Sequence, residues 1–509
     1  GVNPTTKSSS LSTMKSIPNL ANFYTWMVRL AVALGLFIFT ASSIFMFANK
    51  DIAPDWDMVS VINFLIRGVD GSEPNLLSAD VFRFKINEHQ PYLPMLIWGF
   101  DFKVFHSYGL LPLVLMQLFA ITSVVLVTGW SRSRSNPQML LPYAALFSGC
   151  ALYLSPLQWE NLVWPNQILL YTSIILSLLA ISVAVPIAKQ NWQQQVLRAS
   201  LSSFFAVCAT FSFGWGLVVW PVLLIHGLLS RWTWQGFLTI LMLSVGTITL
   251  YFSQLNLVPH HGNPIESLFD PISVVNFASL LLASPIVVVA GLSNATGYVL
   301  GYLFLAAFTY VAYRVYIQRQ VVDDRQLLSL LVCLFCIGVC LMTALGRSNL
   351  TYRYMLILTL FFIAMPGLFP LRTPIKSGGK QLAMIAFLFG FLGLSGASYL
   401  NDDALRSRQF MIRDGAIAAA FGTMPLHRGL STGLDKINNH VWPFYIKHHG
   451  DSKSVNMLTW LGKPIPKASL PDPSASIGSQ SMGQVDSLEN REGDPGFDIT
   501  QGWVRLGPK

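Results

Sequence analysis

Charged residues are scarce, at 11% of a 509-residue chain. A soluble domain carries about a quarter, so a soluble globular protein of this size is excluded. The alternating polar and apolar dyads of a membrane β-barrel are absent, which leaves a helical bundle as the spanning architecture. Cysteine is almost missing. The five present (Cys150, Cys208, Cys333, Cys336 and Cys340) all fall inside apolar runs. Cys333, Cys336 and Cys340 have helical spacing but no His or acid beside them, so buried free thiols are expected rather than a metal site or disulfides. There is no dense basic block. The net charge of +9 is spread over short loops, which fits the positive-inside rule and not nucleic-acid binding. No internal repeat is visible, and the acids lie at the ends of apolar runs. Both features weigh against a transporter or flippase. No cleavable leader is evident, and the first apolar run is long enough to stay as an anchor.

What the chain does have is a succession of apolar runs of roughly 20 residues, the length of a spanning helix. The expected fold is an all-α polytopic bundle of eleven or twelve spans covering residues 23–400. A polar N-terminal tail, 1–22, precedes it in the cytoplasm. A mixed C-terminal region, 401–509, follows outside the membrane and is partly disordered. The spans are read at Trp26–Phe47, Leu110–Trp130, Met139–Leu154, Ile168–Ile187, Ser200–Ser212, Leu217–Leu229, Phe237–Phe252, Val274–Leu292, Tyr298–Val315, Leu327–Leu345, Met355–Leu371 and Gln381–Leu400. Ser131-Arg132-Ser133-Arg134 marks a cytoplasmic loop. Phe213-Gly214-Trp215-Gly216 either tips a short hairpin or breaks a single span. One run between Ser200 and Val315 is expected to be re-entrant, which would place Arg314–Arg325 inside.

The polar residues that remain gather in a few places. The loop 51–108, after the first span, carries Asp55 and Asp57, then Glu88 and His89. Acids set against spanning segments are functional candidates by default. A carboxylate or His can take the proton of a sugar hydroxyl, and two nearby carboxylates can hold a divalent cation. They can equally cap the amphipathic stretch Met58–Arg67, which either lies along the interface or packs as an ordinary loop helix. Trp159-Glu160-Asn161 sits between two spans on the same face, with Trp164 close by. Its aromatics suit an interfacial belt or a sugar ring, and Glu160 suits a sugar hydroxyl. Arg347 and Arg353 bracket a short loop with Tyr352 and Tyr354. Arginine forks suit phosphate oxygens, and they also suit membrane anchoring. His260-His261 lacks a zinc-ligand spacing and is read as a loop feature.

Taken in order, five pieces resemble the bacterial GT-C-type membrane glycosyltransferases, including the O-antigen-modifying glucosyltransferases: Asp55-Trp56-Asp57; Asn87-Glu88-His89 with Pro91 and Pro94; Trp159-Glu160-Asn161; Phe211–Gly216 with Trp220-Pro221; and Gly346-Arg347 with Tyr352-Arg353-Tyr354. The resemblance covers roughly residues 25–400. It implies a polyprenyl-phosphate sugar donor, a glycan or lipid acceptor in the cell envelope, and an active site on the periplasmic face of an inner membrane. Asp55 or Asp57 would be the general base. Arg347 and Arg353, with Tyr352 and Tyr354, would hold the phosphate. Glu88, His89, Trp159, Glu160 and Asn161 would orient sugar and acceptor. One departure is Gln90, where the pattern calls for Arg. A flippase of lipid-linked glycan and a glycan ligase or polymerase are the rival readings. The second of these would need a large outer loop late in the chain.

Overall fold

The computed structural model describes residues 18–49, 89–105, 109–129, 140–185, 191–253, 264–318, 324–347, 350–368 and 378–399, with short pieces between 61 and 86. Asp55, Asp57, Glu88, His260, His261 and the C-terminal region 401–509 lie outside the described residues. Of the Met58–Arg67 stretch, Val61, Phe64 and Leu65 are described. They are helical and buried in the main core, and the Phe64 ring lies 4.5 Å from that of Phe84. This apolar side therefore packs on protein, as a loop helix does.

The described residues are helical apart from turns and one isolated bridge between Ile86 and His89. In chain order the helices are α1 (Pro18–Ala48), α2 (Tyr92–Lys103), α3 (Leu110–Thr128), α4 (Leu140–Tyr153), the short α5 (Trp159–Val163), α6 (Ile168–Ala184), α7 (Trp192–Thr210), α8 (Val219–Leu229), α9 (Trp234–Ser253), the short α10 (Pro264–Ser267), α11 (Pro271–Ala290), α12 (Asn294–Ala312), α13 (Asp324–Gly346), α14 (Met355–Ala364) and α15 (Gly378–Ser398). Among the described residues, seven stretches are long and apolar enough to cross a membrane, and three shorter apolar helices accompany them. The protein is a multi-pass helical membrane protein.

Several boundaries differ from the sequence reading. α1 begins at Pro18, inside the stretch assigned to the tail. α7 begins at Trp192, ahead of the run read at Ser200–Ser212, and includes Arg198. Asn191 makes this start possible, because its side chain accepts the Gln194 N–H at 2.8 Å. α2 lies within the stretch expected as the loop 51–108. It has Pro94 in its first turn, a position that a helix tolerates because the missing N–H has no intrahelical partner there.

Contacts between segments distant in sequence place the helix ends at two opposite levels. At one level Tyr92 N–H bonds Phe211 O, Gln90 meets Tyr251, Pro165 packs on Gly109, and Tyr399 bonds Ser42. At the other, Arg325 packs on Gly129, Thr233 N–H bonds Gln195, Tyr316 reaches His226, and Gln326 bonds Leu368 O. α7 and α8 form a hairpin tipped by Phe211–Val218 at the first level. α9 runs back to that level.

Ser284 meets Met355, and Phe304 meets Phe361 and Phe362. These contacts put the α11–α12 turn, Gly291–Ser293, at the first level as well. Tyr313–Ile317 and Arg325 lie at the second level, with Gly129 and Ser230.

The main core runs through α3, α6, α8, α13 and α14. A satellite cluster joins α1, α4 and α15 through Tyr24, Val28, Ala31, Ala144, Ala151, Ile385, Leu388 and Leu392. Of the five thiols, four are buried and Cys208 is half-buried.

Candidate site at the Glu160 end

The connection from α4 to α6 is a compact, buried run. A 3-10 turn (Pro156–Gln158), α5 and a second 3-10 turn (Pro165–Gln167) follow one another. Pro156 and Pro165 each open a turn with a preset φ. Every residue of α5 is buried, including Glu160 and Asn161. Across from it, the 3-10 turn Tyr352–Tyr354 leads into α14. These two pieces are about 190 residues apart in sequence and meet directly. Asn161 Nδ2 donates to Tyr352 O at 3.2 Å, to Arg353 O at 3.0 Å, and to Gln158 Oε1 at 3.4 Å. The Trp159 and Tyr352 rings lie 5.6 Å apart.

Arg353 completes the arrangement. Its Nε donates to Glu160 Oε1 at 2.6 Å, and its guanidinium carbon sits 5.0 Å from the Trp164 ring centre. Charge-assisted bonding and the ring quadrupole both act on one planar group. The two partners differ in exposure: the Arg353 side chain is 48% exposed and that of Glu160 10%. Among the described residues the terminal nitrogens of Arg353 meet no acceptor. Tyr354 lies outside the spanning helices and interacts electrostatically with Arg347 and Arg353. Burial pushes its phenol up, against the pull of Arg347 and Arg353, so it is a neutral hydroxyl at neutral pH.

Trp159, Glu160, Asn161, Tyr352, Arg353 and Tyr354 are therefore one cluster, with Arg347 electrostatically coupled to it through Tyr354. Asn161 is fully buried and bonded to the backbone, so it holds the cluster together and is not open to a substrate. His89 lies at the same level in another place. Its ring is 3.9 Å from that of Phe213 and packs on Gly214. Gln90, where the family pattern calls for Arg, is buried, with Nε2 3.4 Å from Tyr251 O. A guanidinium there would have to bury its charge.

Two residues escaped the sequence reading. From sequence Trp164 suits an interfacial belt or a sugar ring, and nothing in its spacing from Arg353 marks it as a partner of that side chain. Asp101 stands outside the sequence motifs. It is buried, and its carboxylate accepts the N–H groups of Gly109 at 2.6 Å and Leu111 at 2.9 Å, capping α3 from the preceding helix. A lone acid inside the apolar stretch 92–105 was the available signal.

The fold thus defines a class, a multi-pass helical membrane protein with a polar, aromatic cluster at one end of its bundle. No family model, no curated protein and no solved structure matches this chain.

Proposed function

We propose that the chain is a membrane glycosyltransferase. It would move a sugar from a polyprenyl-phosphate donor to an envelope glycan or lipid acceptor at the periplasmic face of a bacterial inner membrane. The observation that carries this reading is the Glu160–Arg353 cluster. It offers a half-exposed guanidinium for phosphate and a set of indole and phenol rings for sugar, at one end of the bundle. Arg198, Arg231, Arg314 and Arg325 lie toward the opposite end, which supports that end as cytoplasmic.

In the proposed reaction, the acceptor oxygen attacks the anomeric carbon. The bond from that carbon to the phosphate oxygen breaks, and polyprenyl phosphate leaves with the electron pair. Asp55 or Asp57 takes the hydroxyl proton. Arg353, with Arg347, stabilises charge growing on the phosphate. The transition state is oxocarbenium-like by analogy with glycoside chemistry.

The test is a transfer assay with purified protein in lipid. A panel of polyprenyl-phosphate sugars is offered, and release of free polyprenyl phosphate is measured. Turnover lost in Asp55→Asn or Asp57→Asn, with the protein still monodisperse, supports the reading and names the base. Saturable binding of lipid-linked glycan without turnover replaces it with a transporter.

A further inference from the structure

The guanidinium of Arg353 is held by two partners: Glu160 accepts from Nε, and the Trp164 ring lies 5.0 Å from the guanidinium carbon. Asn161 fixes the backbone that carries it, through the carbonyls of Tyr352 and of Arg353 itself. What stays open is the outer edge with its two terminal nitrogens. A guanidinium can bond on more than one edge, and the open one suits a phosphate oxyanion. Glu160 acts on that edge in two opposed ways. As an acceptor it sets the plane. As an anion only a few ångströms away it opposes a second anion, and the partly desolvated setting keeps that repulsion strong.

We propose that Glu160 is a positioning and release residue that never touches the sugar: it aims Arg353 at a phosphate oxyanion and weakens the grip enough for the phosphate to leave. This rests on reading the site as a lipid-phosphate site, and it gives Glu160 a role other than sugar recognition. Gln at this position keeps an acceptor for Nε and removes the charge. Glu160→Gln therefore binds the phosphate product more tightly and releases it more slowly, whereas Glu160→Ala loses the aim and binds it less well. A residue that is merely structural would not strengthen binding on substitution.

The experiment uses the full chain in phosphatidylcholine nanodiscs, titrated with a short-chain prenyl monophosphate and followed by calorimetry. Thermal midpoint and monodispersity are checked for every variant. The expected result is saturable binding, tightened about tenfold in Glu160→Gln on loss of the opposing charge and weakened about tenfold in Arg353→Lys on loss of the planar fork. Where transfer is measured, kcat and KM fall together in Glu160→Gln. Binding that is unchanged or weaker in a well-folded Glu160→Gln overturns the proposal. Inorganic phosphate and phosphatidylglycerol nanodiscs form two further arms. The same ranking of variants in either arm upholds the role of Glu160 and identifies free or bulk-lipid phosphate as the source. The ranking without sugar transfer to any acceptor sinks the glycosyltransferase reading alone. Transfer with unaltered product affinity in Glu160→Gln sinks this proposal alone.

Discussion

Asp101 and Asn161 show how few polar side chains organise the Glu160 end of the bundle. Each is buried in apolar surroundings and bonded to backbone: Asp101 to two N–H groups, Asn161 to two carbonyls. Removing such a partner leaves backbone groups without a bond, which costs more than the bond contributes on average. Asp101→Ala is expected to lower stability by about 1–2 kcal/mol, the range of a lost helix cap, read as a drop in thermal midpoint in detergent. Asn161→Ala is expected to lower it less and to loosen the turn carrying Arg353, so its prenyl-phosphate affinity falls while that of Asp101→Ala holds. The residue types at 159–161 and 352–354 stood out in the sequence as polar groups at span ends. That Glu160 and Arg353 pair with each other did not, because pairing depends on which two span ends the fold places side by side.

At the scale of the element, close packing decides what hydropathy leaves open. α11 and α12 form a hairpin in which Gly297 meets Leu280 and Val287, and a β-carbon at Gly301 would overlap the Ser279 carbonyl. This is the small-residue approach that lets helices pack without a hydrophobic driving force. Gly301→Leu is expected to separate the two helices, seen as loss of monodisperse protein. Gly246→Leu, with open space around it on α9, is expected to leave yield and midpoint unchanged. The tip of the α7–α8 hairpin behaves like Gly301. A β-carbon on Gly216 would strike the Ala209 backbone, and Trp220 Nε1 bonds Thr210 Oγ1 at 3.1 Å across the hairpin. The sequence left hairpin and broken span as alternatives here because two glycines permit either. The Trp220–Thr210 contact and the direction of α9 resolve it as a hairpin.

The whole molecule has two unlike ends, and this makes a topological prediction. Leu292 lies in the α11–α12 turn at the Glu160 end, and Gln318 lies beyond Tyr316 at the Arg325 end. Single cysteines at these positions, in a background where the native thiols are mostly buried, should react with a membrane-impermeant maleimide from opposite sides of oriented vesicles. Labelling of both from one side would break the end assignment drawn from the Tyr316–His226 and Ser284–Met355 contacts. Labelling of Leu292→Cys from the cytoplasmic side would turn the proposed site inward and remove the periplasmic reading with it.

Hydropathy and scarcity of charge were enough, without coordinates, to establish a helical membrane bundle and most of its helices, because water and lipid impose the same demand on every apolar run of spanning length. They were also enough to nominate the polar span ends. The tertiary structure alone decided two things. It showed α2 as a helix whose buried Asp101 caps α3. It joined Glu160 to Arg353 over Trp164. Each is a relation between segments distant in sequence, set by which surfaces pack together, and a local pattern carries no record of that.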